Sequence, residues 1–201
     1  MHISEGVLSA PILLSGAGIA ALGTGIGLKK IAYDQMVHVA ILSAAFFVAS
    51  LIHVNIGPAS THLILNGLLG LILGFAAFPA ILAALVLQSL LFQFGGITVL
   101  GVNVLIMAVP AVLVHYLFLP LLAKSSRLAF AAGFFSGSIA ILLSAFLLSL
   151  SLWLTHAAFL KTSIALLIAN FPVMVIEGIV TGFCVSFLLK VYPEILPQKT
   201  G

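Results

Sequence analysis

The first two residues of the chain, Met1 and His2, carry the atoms of a compact metal chelate. A free α-amine, the backbone nitrogen of residue 2 and the imidazole of a histidine at that position can bind one ion in fused five- and six-membered rings. These three nitrogens lie in one plane, and one further imidazole completes a square. Four in-plane nitrogens favour nickel(II) or copper(II). Together with His62, which lies one helical turn before Asn66, the two residues predict a testable metal site.

The polar residues on the predicted outer side indicate a site that is rich in nitrogen and poor in carboxylates. Neutral imidazole suits zinc, copper, iron and nickel, with cobalt adjacent in affinity. Calcium and magnesium would need several carboxylates, and the outer side offers only Glu5. Under the topology given below, the outer histidines are His2, His53, His62 and His156, and the inner ones are His38 and His115. A single histidine at a helix end is more often interfacial than a ligand, and that simpler interpretation stays open for His53, His115 and His156.

Glu177 lies near the middle of the last apolar run, where inserting an ionised acid costs roughly 2.5–3.5 kcal/mol. One interpretation makes it an acceptor behind the metal ligands, or a polar lock between moving helices. The other makes it a protonated acid that is hydrogen-bonded to Gln88, to Asn103 or to a backbone carbonyl. The residues expected to support the ligands or to fix loops are Asn66, Gly95, Gly96, Thr98 and Asn103.

The elements that position these residues must be membrane helices. Of the 201 residues, 63% are hydrophobic and only 5% are charged, whereas soluble domains carry roughly 25% charged residues. This composition excludes a soluble enzyme, a nucleic-acid-binding domain and a disordered segment. Because the apolar runs are long and continuous, they do not resemble barrel strands, which alternate over about ten residues. The sequence predicts an all-α polytopic membrane protein with a single domain over residues 1–201.

Seven membrane spans of about 20 residues fit into the chain. Their predicted ranges are 10–28, 36–54, 60–76, 78–93, 100–122, 128–154 and 163–190. The third and fourth spans are so close together that we expect a tight helical hairpin just before Pro79. Gly70 and Gly74 have a G-x-x-x-G spacing, which allows close helix approach. Residues 1–9 lack the basic region of a signal peptide, and we expect them to fold back into the bundle from the outer side.

The distribution of cations predicts the orientation. Six of the seven basic residues fall on one side, namely Lys29, Lys30, Lys124, Arg127, Lys190 and Lys199, and only Lys161 falls on the other. The side with six cations is predicted to be cytoplasmic. The membrane is then the cytoplasmic membrane of a bacterium or an archaeon. The N-terminus lies outside the cell and the C-terminus lies in the cytoplasm.

Four separated segments, MHISEGVLSAP, GPASTHLILNGLLGLILG, FGGITVLGVN and VIEGIVTGF, resemble the CbiM/NikM family in the same order. Its members are the substrate-binding membrane components of energy-coupling-factor transporters for cobalt and nickel. The resemblance covers nearly the whole chain. It implies a seven-helix protein whose N-terminal segment inserts into the bundle and binds the metal. The implied ligands are Met1 through its amine, His2 through its backbone and ring nitrogens, and His62.

The resemblance also implies a set of partners. These are a coupling transmembrane protein of the CbiQ/NikQ type and ATPase subunits of the CbiO/NikO type. Some relatives carry a small CbiN/NikN-type component as a fused extension, which for this chain would be a separate protein or absent. Ni2+ or Co2+ would be the transported substrate, and no organic cofactor is implied.

An autonomous secondary carrier or channel for divalent cations stays open as an alternative function. A carrier would often show internal repeats, and the sequence contains no convincing repeat. The chain also lacks the phosphate-binding pattern G-x-x-x-x-G-K-[ST] and any evident pairing of a nucleophile with a base, so we expect no catalytic activity. Four in-plane nitrogens favour nickel over cobalt.

Overall fold

The computed structural model of the chain describes residues 1–51, 53–56, 59–122 and 125–195. The helices are α1 (Ala10–Lys30), α2 (Met36–Ala49), α3 (Asn66–Leu73), α4 (Ala77–Phe92), α5 (Leu100–Leu122), α6 (Ser126–Thr155) and α7 (Leu160–Val191). Three short strands, β1 (His2–Ile3), β2 (His53–Ile56) and β3 (Ala59–His62), accompany them. The predicted all-α class is confirmed, with the addition of one small sheet that the apolar pattern did not indicate.

Five stretches of the described residues are long and apolar enough to cross a membrane. They are Ala10–Lys30, Asn66–Phe92, Leu100–Leu122, Ser126–Thr155 and Ala157–Val191. A shorter apolar stretch, Tyr33–Ala49, contains α2. The chain is therefore a multi-pass membrane protein, and the count of seven crossings stays a prediction.

Two of the predicted spans are wrong at the ends that face the sheet. The second span was expected over 36–54, but α2 ends at Ala49 and β2 begins at His53. The third was expected over 60–76, but β3 runs to His62 and helix α3 begins only at Asn66. Residues 59–62 satisfy their backbone N–H and C=O groups by pairing with β1 and β2. Hydropathy did not indicate the strand, because it carries no information about such pairing.

Helices α3 and α4 run in opposite directions, as the hairpin prediction requires. Helix α3 lies parallel to α5, since Gly70 abuts Ala111 and Gly74 abuts His115. Helix α4 instead runs alongside α2, where the Ser43 hydroxyl donates to the carbonyl of Ala80 at 2.7 Å. The reversal is a 3-10 turn at Gly74–Ala76, in which Gly74 has a φ of +53° that favours glycine.

The sheet brings the start of the chain to the middle of the sequence. Its strand order is β1-β3-β2, and both pairings are antiparallel. His2 lies opposite Ser60 and Ile3 lies opposite Ala59. This register places the first residues of the chain beside the strand that ends at His62.

Small residues allow α3 to pack closely within the bundle. The backbone of Gly67 faces the backbone of Gly137 on α6, and the backbone of Gly70 faces that of Ala111 on α5. Residues 66–72 are all buried. The glycines of this segment therefore act in helix packing, which fixes the position of the chain that follows His62.

This packing predicts the effect of adding one methyl group at Gly70. A Cβ there would lie 2.8 Å from the carbonyl carbon of Ala111 and 2.9 Å from its Cα, so α3 and α5 must separate. We expect Gly70→Ala to lower the free energy of unfolding by about 1–3 kcal/mol, measured as a lower thermal midpoint in detergent. The matched control is Gly18→Ala, where nothing lies within 4 Å of the added Cβ. Equal midpoints for the two variants would contradict the packing account.

Candidate metal centre

The α-amine of Met1 and Nε2 of His62 face each other in hydrogen-bond contact. The Nδ1 atom of His62 donates to the carbonyl of Leu63 at 3.0 Å, which makes Nε2 the acceptor nitrogen of the ring. The imidazole rings of His2 and His62 stack with their centroids 4.7 Å apart and their planes at 29°. A terminal amine and two imidazoles thus lie together, and they are the nitrogens that the sequence singled out.

This cluster is shielded from solvent. The exposed fractions of Met1, His2 and His62 are 0%, 5% and 3%. Burial lowers the pKa of the Met1 α-amine well below its usual value, and the negative charge of Glu177 acts in the opposite direction. Burial thus favours the neutral form of the amine, and the neutral form has the lone pair that a metal ion needs.

Asn103, near the start of α5, holds the strand that carries His2. Its Oδ1 accepts the backbone N–H of Ile3 at 2.9 Å, and its Nδ2 donates to the carbonyl of Ile3 at 3.2 Å. One edge of β1 pairs with β3, and the amide of Asn103 takes the place of a strand at the other edge. The backbone groups of Ile3 are thereby satisfied, as burial requires.

A loop between α4 and α5 covers the same segment. The backbone N–H of Glu5 donates to the carbonyl of Gly95 at 3.1 Å. Thr98 donates to Oε1 of Glu5 from its backbone N–H at 2.9 Å and from its hydroxyl at 3.2 Å. The bond from the Thr98 backbone N–H lowers the pKa of the Glu5 carboxyl, which keeps it ionised. Gly95 and Gly96 have φ values of +74° and +124°, and a side chain at Gly96 would collide with Glu5.

Glu177 on α7 reaches the segment that leads from His62 into α3. Its Oε2 accepts the backbone N–H of Ile64 at 3.1 Å, and the N–H groups of Leu65 and Asn66 are also directed toward the carboxylate. The Asn66 side chain points elsewhere, because its Nδ2 donates to the hydroxyl of Ser144 on α6 at 3.0 Å. Asn66 therefore anchors α3 to α6, away from the nitrogen cluster.

Three further histidines have structural partners at other places. His115 donates from Nδ1 to the carbonyls of Gly70 and Leu71 at 2.9 and 3.1 Å. His156 accepts the N–H of Ala158 at 3.1 Å and caps a short turn. The ring of His38 lies 5.8 Å from that of Tyr192. The backbone of His53 pairs with that of His62, and the side chain of His53 lies outside the described part of the structure.

The hydrogen bonds predicted for Glu177 differ from those that the structure shows. Glu177 bonds to backbone amides rather than to Gln88 or Asn103. The amide of Gln88 donates instead to the hydroxyl of Ser50 at the end of α2. Within the described residues, no group of three or more His, Cys, Asp or Glu side chains could hold a metal ion.

The bonds from Asn103 predict how the N-terminal segment can be released. Asn103→Ala removes two hydrogen bonds worth about 1 kcal/mol each, so the population with an exposed α-amine should rise roughly tenfold to 100-fold. The measurement is acylation of the Met1 amine at neutral pH, read by mass spectrometry of the N-terminal peptide. Ser15→Ala is the control, since the Ser15 hydroxyl is exposed and bonds only within its own helix. Unchanged acylation in Asn103→Ala would show that the two bonds between Asn103 and Ile3 do not hold the N-terminal segment in place.

Comparisons with known proteins identify the family of the chain. Residues 2–195 match the family model described as CbiM, cobalt uptake substrate-specific transmembrane region. A protein of Haemophilus influenzae named as a metal transport protein is 44% identical over 201 residues, which cover 98% of this chain and 97% of that protein. A cobalt transport protein CbiM of Kyrpidia tusciae is 30% identical, with 98% of this chain and 87% of that protein covered.

A fused protein and a solved structure extend the comparison. A protein of Archaeoglobus fulgidus named as a fused nickel transport protein, NikMN, is 31% identical, and the alignment covers all of this chain and 70% of that protein. The crystal structure of a truncated transition-metal transporter superposes with a TM-score of 0.75 at 30% identity, covering 94% of this chain and 99% of that one. Because the family model matches almost the whole of this chain, the chain belongs to the CbiM family of cobalt-uptake, substrate-specific transmembrane proteins.

Proposed function

We propose that this chain is the substrate-binding membrane component of an energy-coupling-factor transporter that imports nickel, or cobalt, ions. The observation that carries the proposal is the contact between the α-amine of Met1 and Nε2 of His62 beside the stacked ring of His2. Relatives named for cobalt and for nickel transport support this class of cargo. The chain itself has no catalytic activity in this account.

The proposed ligands are four nitrogens from three residues. Met1 supplies its α-amine, His2 supplies its backbone and ring nitrogens, and His62 supplies Nε2. The first three close two fused rings around the ion, and the fourth completes the square. Such a set suits nickel(II), which also stands above cobalt(II) in the affinity series. We therefore propose nickel as the preferred substrate.

The proposed assembly places energy conversion in other subunits. The sequence contains no phosphate-binding loop for ATP, so hydrolysis belongs to ATPase subunits of the CbiO/NikO type that act through a coupling protein of the CbiQ/NikQ type. A small CbiN/NikN-type component is a further proposed partner, which the name of the fused NikMN relative supports. We also propose seven crossings of the cytoplasmic membrane, in which β3 and α3 together make up the third, with the N-terminus outside and the C-terminus in the cytoplasm.

The proposal is tested by moving the first atom of the chain. Adding Gly-Ser before Met1 converts its amine into an amide and carries the free terminus away from His2, while every side chain stays the same. We expect nickel and cobalt binding by the purified protein to fall to background, measured as metal content per chain. Mass spectrometry of the intact protein verifies the terminus.

The matched control adds the same two residues after Gly201. This variant should bind metal as the unaltered protein does, because the proposed topology puts that end on the opposite side of the membrane. Stoichiometric metal in the N-terminally extended protein would contradict the chelate and leave only the histidine side chains as candidate ligands.

A further inference from the structure

A carboxylate from the last helix occupies the N-terminus of the short helix that follows His62. Glu177 is fully buried, and its Oε2 accepts the N–H of Ile64 at 3.1 Å. The N–H groups of Leu65 and Asn66 are also directed toward this carboxylate. The backbone that enters α3 is therefore held by a side chain more than a hundred residues away in sequence.

The backbone is bent to make this arrangement possible. Leu65 has a φ of +59°, in the left-handed region that a leucine rarely adopts. A left-handed residue next to a helical one turns successive N–H groups toward one point, which forms a cavity for an anion. The N-terminus of α3 adds its partial positive charge at that point. A strained leucine beside a candidate site indicates that this geometry is required there.

The bonds of Glu177 reach the backbone two residues after His62. Helix α3 itself is fixed by the close approaches of Gly67 and Gly70 to neighbouring helices. With Ile64 held by the carboxylate and α3 held by its packing, the segment that carries His62 has little freedom. Glu177 therefore determines where Nε2 of His62 lies relative to the N-terminal amine.

Charge balance gives Glu177 a second role in the same place. A divalent ion bound by the chelate, with the proton of the His2 amide released, leaves one net positive charge. Such a charge in a low-dielectric interior needs a counter-charge. Glu177 is the one buried acidic residue of the described chain, and the backbone amide that it accepts lies only two residues after His62. Its Oε1 has no hydrogen-bond partner among the described residues.

We propose that Glu177 is a positioning residue of the metal centre, which fixes the His62 segment through the backbone amide of Ile64 and neutralises the charge of the bound divalent ion. The inference rests on the proposed function, because it assigns a role toward the same metal. It accounts for an ionisable residue in the middle of a membrane helix, where such residues are costly.

The test separates the charge of Glu177 from its hydrogen bonds. Glu177→Gln keeps an oxygen that accepts the N–H of Ile64 but removes the negative charge. We expect its affinity for nickel, measured by calorimetry on the purified protein, to fall about 10–100-fold. Glu177→Asp keeps the charge on a shorter side chain and should bind more tightly than Glu177→Gln.

A second readout distinguishes this role from a merely structural one. The thermal midpoint of metal-free Glu177→Gln should stay close to that of the unaltered protein, while the rise in midpoint on adding nickel should shrink as the affinity falls. The matched control is Thr181→Val, one helical turn further along α7. Thr181 is fully buried, its hydroxyl has no partner among the described residues, and the variant should bind nickel normally.

Two results would overturn the role of Glu177. One is nickel affinity in Glu177→Gln equal to that of the unaltered protein. The other is a lower midpoint of the metal-free variant together with an unchanged rise on adding nickel. A failure of the proposed function looks different, because His62→Ala would then bind nickel as well as the unaltered protein does.

Discussion

The structure depends on burying the first three residues of a membrane protein without leaving their backbone groups unpaired. A bare strand edge in a nonpolar interior loses several kcal/mol for each unsatisfied group. Strand β3 pairs with one side of β1, and the amide of Asn103 bonds both backbone groups of Ile3 on the other. The carbonyl of Gly95 then accepts the N–H of Glu5. These partners come from distant parts of the chain, so the N-terminal segment can dock only in an assembled bundle.

The short third helix follows from the same constraint. Because β3 occupies the first part of this chain segment, only Asn66–Leu73 is left for α3 before the chain turns back. A helix of eight residues leaves most of its terminal N–H and C=O groups without intrahelical partners. Glu177 accepts the amide of Ile64 just before its N-terminus, and His115 donates to the carbonyls of Gly70 and Leu71 near its C-terminus. An acceptor at the positive end and a donor at the negative end match the helix dipole.

Hydropathy predicts the helices that consist of long apolar runs and fails where backbone pairing decides. The ranges 10–28 and 100–122 correspond closely to Ala10–Lys30 and Leu100–Leu122. The sheet escapes detection because β1 has only two residues, too few for any periodicity. The bonds between Asn103 and Ile3 join residues 100 positions apart, and no local pattern indicates them. The left-handed backbone at Leu65 gives no signal at all, since leucine is an ordinary helix residue.

The candidate centre is unusual because the α-amine and the backbone nitrogen of the first residues indicate it more clearly than any cluster of metal-binding side chains does. Within the described residues no three metal-binding side chains come together, yet an amine and two imidazoles do. The pair Met1–His2 suggested this because three of its nitrogens can bind one ion together, and His62 was indicated by its position before Asn66 and again by the family resemblance. The contacts of Glu177 and His115 needed the structure, because each bonds to backbone atoms, just before α3 and within it.

The most direct measurement of the central claim is X-ray absorption at the nickel edge of the purified, nickel-loaded protein. Coordination by the amine, amide and two imidazoles predicts a single shell of four nitrogens, imidazole scattering from two rings, and the edge feature of a square-planar ion. A six-coordinate, oxygen-rich shell, or a shell that contains sulfur, would contradict the account.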